Sequence, residues 1–317
     1  MRPAAAPAGG PTEVRPLLDS VITMRWDDNH ESPDVIDRRG ERGPALGGLG
    51  GGVLTFLPLL MRSPIGWVVL LALGAWWLFS GGLGGGGSAR PGGPPRPAAN
   101  AVAPAGEDKM KSFVSFVFDD VQKTWEREFA ESGRTYRRSK LVLFSNATQT
   151  ACGAGRSATG PFYCPADERA YIDLSFYREL SGRFGARGDF AQAYVLAHEV
   201  GHHVQHLLGT TDRVSRARGD QRGETSASVR LELQADCYAG VWAHSTGQRN
   251  LLESGDIDEA LGAASAIGDD RLQRQSTGTV TPETWTHGSS QQRTRWFRQG
   301  YEKGDPAACD TFAAGAI

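Results

Sequence analysis

The chain has 317 residues, with 34 Lys and Arg against 36 Asp and Glu, a formal net charge of −2 and 4 cysteines. A polyanion-binding protein needs a concentrated basic face, and no Lys/Arg-rich run lies beside aromatic residues here, so no nucleic-acid partner is expected. The first hundred residues are too rich in Gly, Pro, Ala and Arg to build a core, which leaves one domain of about two hundred residues as the expected count.

Residues 1–62 read as a mostly disordered tail, and Met24 within it is a candidate true start. Val53 to Leu60 is apolar but nearer the length of an interfacial piece. Residues 63–81 contain an uncharged run, Pro64 to Phe79, with Trp67, Trp76 and Trp77 near its ends where the amphipathic ring favours a membrane interface. It reads as one transmembrane helix, at the short end of the roughly 17 to 25 residues a span needs. Arg38, Arg39, Arg42 and Arg62 precede it and only Arg90 and Arg96 follow closely, so residues 1–62 are expected to be cytoplasmic and the remainder to lie outside. Residues 82–106 read as a Gly/Pro-rich linker, and 107–317 as the folded domain.

All four cysteines follow the apolar run, and an even number outside the cytoplasm suggests two bridges. Three pairings are open. Cys152 with Cys164 would close a glycine-containing loop and Cys237 with Cys309 would staple the carboxyl-terminal tail, and this is the favoured pairing; no C-x-x-C spacing supports a separate zinc site.

From Glu107 onward, Phe113, Phe116, Val117, Val121, Trp125 and Phe129 form a helical stripe. Leu141 to Phe144 reads as a strand, and Phe162–Cys164 with Tyr171–Leu174 as a hairpin. A helix from Ser175, two longer helices and at least one more across Asp256 to Leu272 follow. The expected class is α+β, a small antiparallel sheet beside a helical body.

The first long helix carries His198-Glu199-Val200-Gly201-His202. Residues four apart on a helix share a face, so the two imidazoles can meet one metal ion while Glu199 reaches its water. Phe190, Tyr194, Val195, Ala197, Val200, Val204, Leu207 and Leu208 give this helix a broad apolar face, and Gly209 a stop. The longer metzincin pattern requires a third His where Leu208 stands. His203 points to another face, and His206 continues the series on a straight helix that cannot converge on one tetrahedral ion; both, with His30 and His244, read as structural or exposed.

Catalytic zinc takes three protein ligands and keeps a fourth position open. The third is expected from Glu232, in a second helix whose Val229, Leu233, Cys237 and Val241 recur every four residues. Asp236, one turn later, can accept the N–H of a zinc-bound His.

H-E-x-x-H followed by E-x-x-A-D resembles the gluzincin type of metallopeptidase, and more closely the bacterial, YpfJ-like family of neutral zinc metallopeptidases. Further stretches are similar to that family: Met24-Arg25-Trp26, Asp37-Arg38-Arg39-Gly40, Ala151-Cys152-Gly153, Ser157 to Pro165, Asp173-Leu174-Ser175-Phe176, Thr286 to Ser290 with Arg293, and Cys309 to Phe312. Met1 to Thr23 has no counterpart in it. The resemblance implies a zincin-like fold and a peptidase of protein or peptide substrates with one Zn2+ held by His198, His202 and Glu232. It would be tethered to the bacterial cytoplasmic membrane by a single pass with its catalytic domain outside.

In that reading Glu199 is the general base and the hairpin Phe162 to Leu174 a candidate for pairing with an extended substrate, or plain sheet core. His287 resembles the late His of the membrane-bound CaaX and heat-shock metallopeptidases, although Gly288 replaces their Pro; it is a candidate transition-state donor or a surface loop residue. The competing reading is a catalytically silent zinc-containing module that binds envelope proteins, against which stands Glu199, a base that structural zinc does not need.

Overall fold

Alternating side chains along two short segments divide the sheet between two cores. In β2 (Lys140–Phe144) and β6 (Arg169–Asp173), Leu141, Leu143, Ala170 and Ile172 enter the main core, while Val142, Phe144 and Tyr171 join Cys164 in a smaller cluster on the opposite face. The computed structural model describes residues 24–41, 107–157, 160–216 and 221–317. Within them β1 (Val35–Asp37), β2, β6 and β5 (Phe162–Cys164) form a sheet in the order β1-β2-β6-β5. A separate two-stranded ribbon pairs β3 (Ala147–Thr150) with β4 (Gly153–Arg156).

The expected hairpin is present as the antiparallel pair β5 and β6. The sheet as a whole is mixed, not antiparallel, because β1 with β2 and β2 with β6 run parallel. The chain between β2 and β6 is long enough to return the second strand in the same direction, which a tight turn cannot do.

Eight α-helices complete the described residues. α1 (Glu107–Glu131) buries the expected stripe, with Phe116 only partly covered. α2 (Ser175–Gly182) leads into α3 (Asp189–Leu207), which is buried nearly all round, and Gly209 at φ +72° ends that helical stretch before α4 (Thr210–Arg216). α5 (Ala227–Gln248) starts at Ser226, whose side chain accepts from Val229 N, and so satisfies one of the amides a helix start leaves open. The helix expected across Asp256 to Leu272 is two, α6 (Asp256–Ala266) and α7 (Asp269–Thr277). They separate at Gly268, where a Cβ would stand 2.4 Å from the Ser290 backbone nitrogen at the start of α8 (Ser290–Lys303). The class is therefore α+β, with α3, α5, α6 and α8 packed together as the helical body.

Both bridges join the favoured partners. Cys152 and Cys164 are linked with Cα atoms 5.8 Å apart, and Cys237 and Cys309 with Cα atoms 5.6 Å apart.

The boundary expected at Glu107 is moved by the segment 24–41. β1 pairs with β2 from Val35–Leu141 to Asp37–Leu143, and Met24 is 1% exposed in the main core. Asp34 pairs with Arg138 and with Lys140, and His30 and Ser32 both bond Asp119 of α1. These residues are part of the domain and not of a disordered tail. The far end of the segment is tied as well: Arg39 donates Nη1 to the Glu107 carbonyl at 3.3 Å.

The apolar segment 63–81 and the linker 82–106 lie outside the described residues, and among the described residues no helix is long and apolar enough to cross a membrane. β1, before that segment in the chain, pairs with β2, after it. That pairing brings the residues before the apolar segment and those after it into one sheet.

Candidate metal centre

Small residues set the distance between the two motif helices. A Cβ on Gly201 would meet the Ala235 carbonyl oxygen at 3.0 Å and its Cα at 3.1 Å, so α3 and α5 cross here almost backbone to backbone. That crossing brings Glu232 and Asp236 against His198 and His202. A second close crossing, where a Cβ on Gly300 would fall 1.9 Å from the Cys237 carbonyl oxygen, holds α8 on α5 and delivers Arg293 to the same point.

The two histidine tautomers follow from their outer nitrogens. His198 Nδ1 lies 2.8 Å from Asp236 Oδ1, a carboxylate, so Nδ1 carries the proton. His202 Nδ1 lies 2.9 Å from Gln205 Oε1. The Gln205 amide is oriented by donating Nε2 to the Leu231 carbonyl at 2.6 Å, so its oxygen faces His202 and Nδ1 donates here too. With both Nδ1 protons committed, the Nε2 atoms present lone pairs to each other across 3.2 Å. Glu232 Oε2 stands 3.2 Å from His198 Nε2, and its Oε1 3.6 Å from His202 Nε2.

Two Nε2 atoms and a carboxylate converge on one point, an arrangement that binds a proton or, in its place, a metal cation. Ligand atoms of His198, His202 and Glu232 all lie within 4.8 Å of one another, as three ligands of one ion must. The charges agree. Burial works against a proton on His198, yet Asp236 and Glu232 raise it to about 10, so this point favours a positive charge. Burial opposes the charge on Glu232 as well, and the two histidines still hold it well below the usual carboxylate range. Two imidazoles, each fixed by an outer partner, and a carboxylate form a donor set suited to zinc.

Asp236 is fully buried and saturated. It accepts from His198 Nδ1, from Tyr194 Oη at 2.5 Å, and from Arg293 Nε and Nη2 at 2.9 Å each. Arg293, Tyr194 and Gln205 complete the support of the histidines. In the sequence Tyr194 falls on the apolar face of its helix, Gln205 carries no signal, and Arg293 stands out only through the family resemblance.

Glu199 is 7% exposed and lines the same cavity as the three ligand candidates, a space of about 570 Å³. Burial raises its carboxyl above the usual range, against the opposing effect of His198 and His202. The other walls include Phe162 and Tyr163 of β5, Phe176, Phe184, Leu231 and Leu272. β5 is an edge strand, paired only with β6 among the described residues.

His287 also lines the cavity, on a loop held by Asp269, which accepts the backbone N–H groups of Thr286, His287 and Gly288 at 2.7 to 3.1 Å. His287 Nδ1 is 3.2 Å from Asp269 Oδ1, a contact that raises its pKa although burial opposes it. His203 and His206 stand apart from the centre. His203 donates Nε2 to the Arg137 carbonyl at 2.6 Å and accepts from Tyr163 Oη at 2.9 Å; His206 is 3.4 Å from Glu168.

Residues 24–312 match the model of the family described as "Putative neutral zinc metallopeptidase". The chain is 47% identical over 292 residues to the uncharacterized protein YpfJ of Escherichia coli K12, an alignment that covers 91% of this chain and 99% of that one. It is 52% identical over 190 residues to the uncharacterized protein Mb2605 of Mycobacterium bovis, over 56% of this chain and 64% of that one. No solved structure matches. The histidine pair, the carboxylate facing it and a family match spanning both agree: the chain belongs to the neutral zinc metallopeptidase family.

Proposed function

We propose that this protein is a zinc-dependent peptidase with one ion held by His198, His202 and Glu232, and that Glu199 is its general base. The observation that carries the reading is the pair of opposed Nε2 lone pairs beside Glu232, with Glu199 buried in the same cavity. A zinc ion held there would supply Lewis-acid polarisation and lower the pKa of a water molecule towards about 7.

The residues divide the remaining work. Glu199 takes the proton of the attacking water, a role for which burial has already made it more basic, and passes it to the leaving amine. Asp236, oriented by Arg293 and Tyr194, and Gln205 fix the two imidazole tautomers. His287, with its Nδ1 engaged by Asp269, has Nε2 available to donate to the oxygen that gains charge in the transition state. The edge strand β5 pairs with an extended peptide, and Phe162, Phe176 and Phe184 favour apolar side chains in it. The two disulfides support a compartment outside the bacterial cytoplasm, and segment 63–81 supports association with the membrane.

The test is a comparison of the native protein with Glu199→Gln for zinc content and for cleavage of a broad peptide library. Equal zinc with cleavage lost only in the variant is the expected result, a fall of about 10²- to 10⁴-fold. Full zinc with no cleavage by either protein would establish the non-catalytic module instead.

A further inference from the structure

Away from the metal centre, Asp189 at the start of α3 and Asp256 and Glu259 in the first turn of α6 bring three carboxylates together. One oxygen of each lies within 4.8 Å of the others. Asp256 is 1% exposed; its Oδ2 accepts from Glu253 N at 2.8 Å, while its Oδ1 is buried without a partner. Asp189 Oδ2 is likewise buried and unpartnered. The Glu259 carboxylate accepts from Phe190 N at 3.0 Å and lies so close to Gly188, at φ +101°, that a Cβ there would be 1.8 Å from Glu259 Cδ. No described Lys, Arg or His neutralises the three: what acts on them is burial, backbone N–H groups and one another, with Glu253 beside Asp256.

One further group faces the cluster, the backbone nitrogen of Met24, 3.4 Å from Asp189 Oδ1. Its position is fixed. The Met24 side chain is 1% exposed in the core, Arg25 N donates to the Leu251 carbonyl at 2.8 Å, and Arg25 Nε reaches Glu253. As a peptide amide this nitrogen offers one long hydrogen bond, to Asp189. As a terminal ammonium it offers a full positive charge and three N–H donors from the same place. The family match also begins at residue 24.

We propose that Asp189, Asp256 and Glu259 form a binding site for a primary ammonium, and that its occupant is the α-amino group of Met24, freed by initiation at Met24 or by cleavage of the Thr23–Met24 peptide bond by water. Cleavage adds one water molecule across that bond and leaves a carboxylate on Thr23 and the ammonium on Met24. The occupied site pins the start of α3, the helix that carries His198, Glu199 and His202.

The direct test is the amino-terminal residue of the protein isolated from its own cells, read by mass spectrometry: Met24 is expected, and an intact residue before it overturns the proposal. The stability test compares a chain beginning at Met24, the same chain with its α-amino group acetylated, and the chain beginning at Met1. The first is expected to melt higher than the other two by on the order of 5 °C. Its α-amino group is expected to titrate above about 9, against about 8 for an unperturbed terminus. Equal melting in all three, an ordinary amino-group pKa, or one equivalent of calcium bound at the cluster by the Met1 chain would overturn it. Asp256→Asn and Glu259→Gln are each expected to shrink the difference between the free and acetylated chains, a readout unaffected by a general loss of stability.

Discussion

Arg293 meets Asp236 through Nε and Nη2, both at 2.9 Å, where the arginine side chain is 3% exposed and the aspartate is sealed from solvent. The pair holds Asp236 ionised, and Asp236 in turn holds the proton on His198 Nδ1. The guanidinium thereby orients a metal-ligand candidate without approaching the metal position itself. Asp236→Asn should keep the shape and weaken zinc affinity about 10- to 100-fold, read by competition with a chelator. Asp236→Ala should cost about 3 to 5 kcal/mol of stability, because the Arg293 charge is left buried and unpaired, and denaturant unfolding measures it. Unchanged zinc affinity in the Asn variant would remove Asp236 from the centre.

The Cys237–Cys309 bridge closes a separation of 72 residues and joins α5, at the residue next to Asp236, to the carboxyl-terminal tail. A loop of that length implies about 4 kcal/mol of stabilisation in the chain-entropy account, and the 12-residue Cys152–Cys164 separation about 3 kcal/mol. Replacing Cys237 and Cys309 by serine should therefore lower stability and also loosen Glu232 and Asp236, so zinc affinity should fall. Replacing Cys152 and Cys164 should lower stability with a smaller effect on zinc. Chelator competition on the two double variants separates the cases.

The metal centre was the most legible part of the sequence because a helix makes spacing into geometry: His198 and His202 share a face by being four apart, and Glu232 and Asp236 do the same. Gln205 and Tyr194 carry no comparable signal, since their roles depend on α5 and α8 arriving from elsewhere in the chain. α8 did carry one. Ser289 and Gln292 form a capping box, three residues apart as that motif requires, but the run behind it is polar enough to hide the buried face of Arg293, Trp296, Phe297 and Gly300. β1 was illegible for a different reason. Three residues have no periodicity to read, and Val35–Asp37 is a strand only because β2 presents an edge for it.

The pairing of β1 with β2 makes a prediction about topology in the cell. Glu41→Cys, at the end of the first described segment, and Glu283→Cys, on the exposed surface of the domain, should react alike with a membrane-impermeant maleimide added to intact cells. The native cysteines are paired and do not compete. Both sites labelled, or neither, agrees with the strand pairing. Labelling at Glu283→Cys alone would mean that a single crossing separates the two and that β1 does not form in the cell.

Burial raises Asp189 to about 6 and Glu259 to about 7, and raises Asp256 as well, in a chain whose residue 24 is an ordinary amide. A carboxyl group whose folded pKa exceeds its unfolded value binds its proton more tightly when folded. Its stabilising contribution is complete below about pH 4 and is lost as the pH rises through 6 and 7. The chain beginning at Met1 should therefore lose stability over that window. A chain with a free Met24 ammonium keeps the carboxylates ionised in the folded state, so the same rise in pH costs it less. The metal-ligand candidates, Glu253 and Arg25 are common to both proteins, and subtracting one melting profile from the other cancels their contribution. The difference should be small at pH 4 and widen towards pH 7; a difference independent of pH would show that Met24 does not engage these acids.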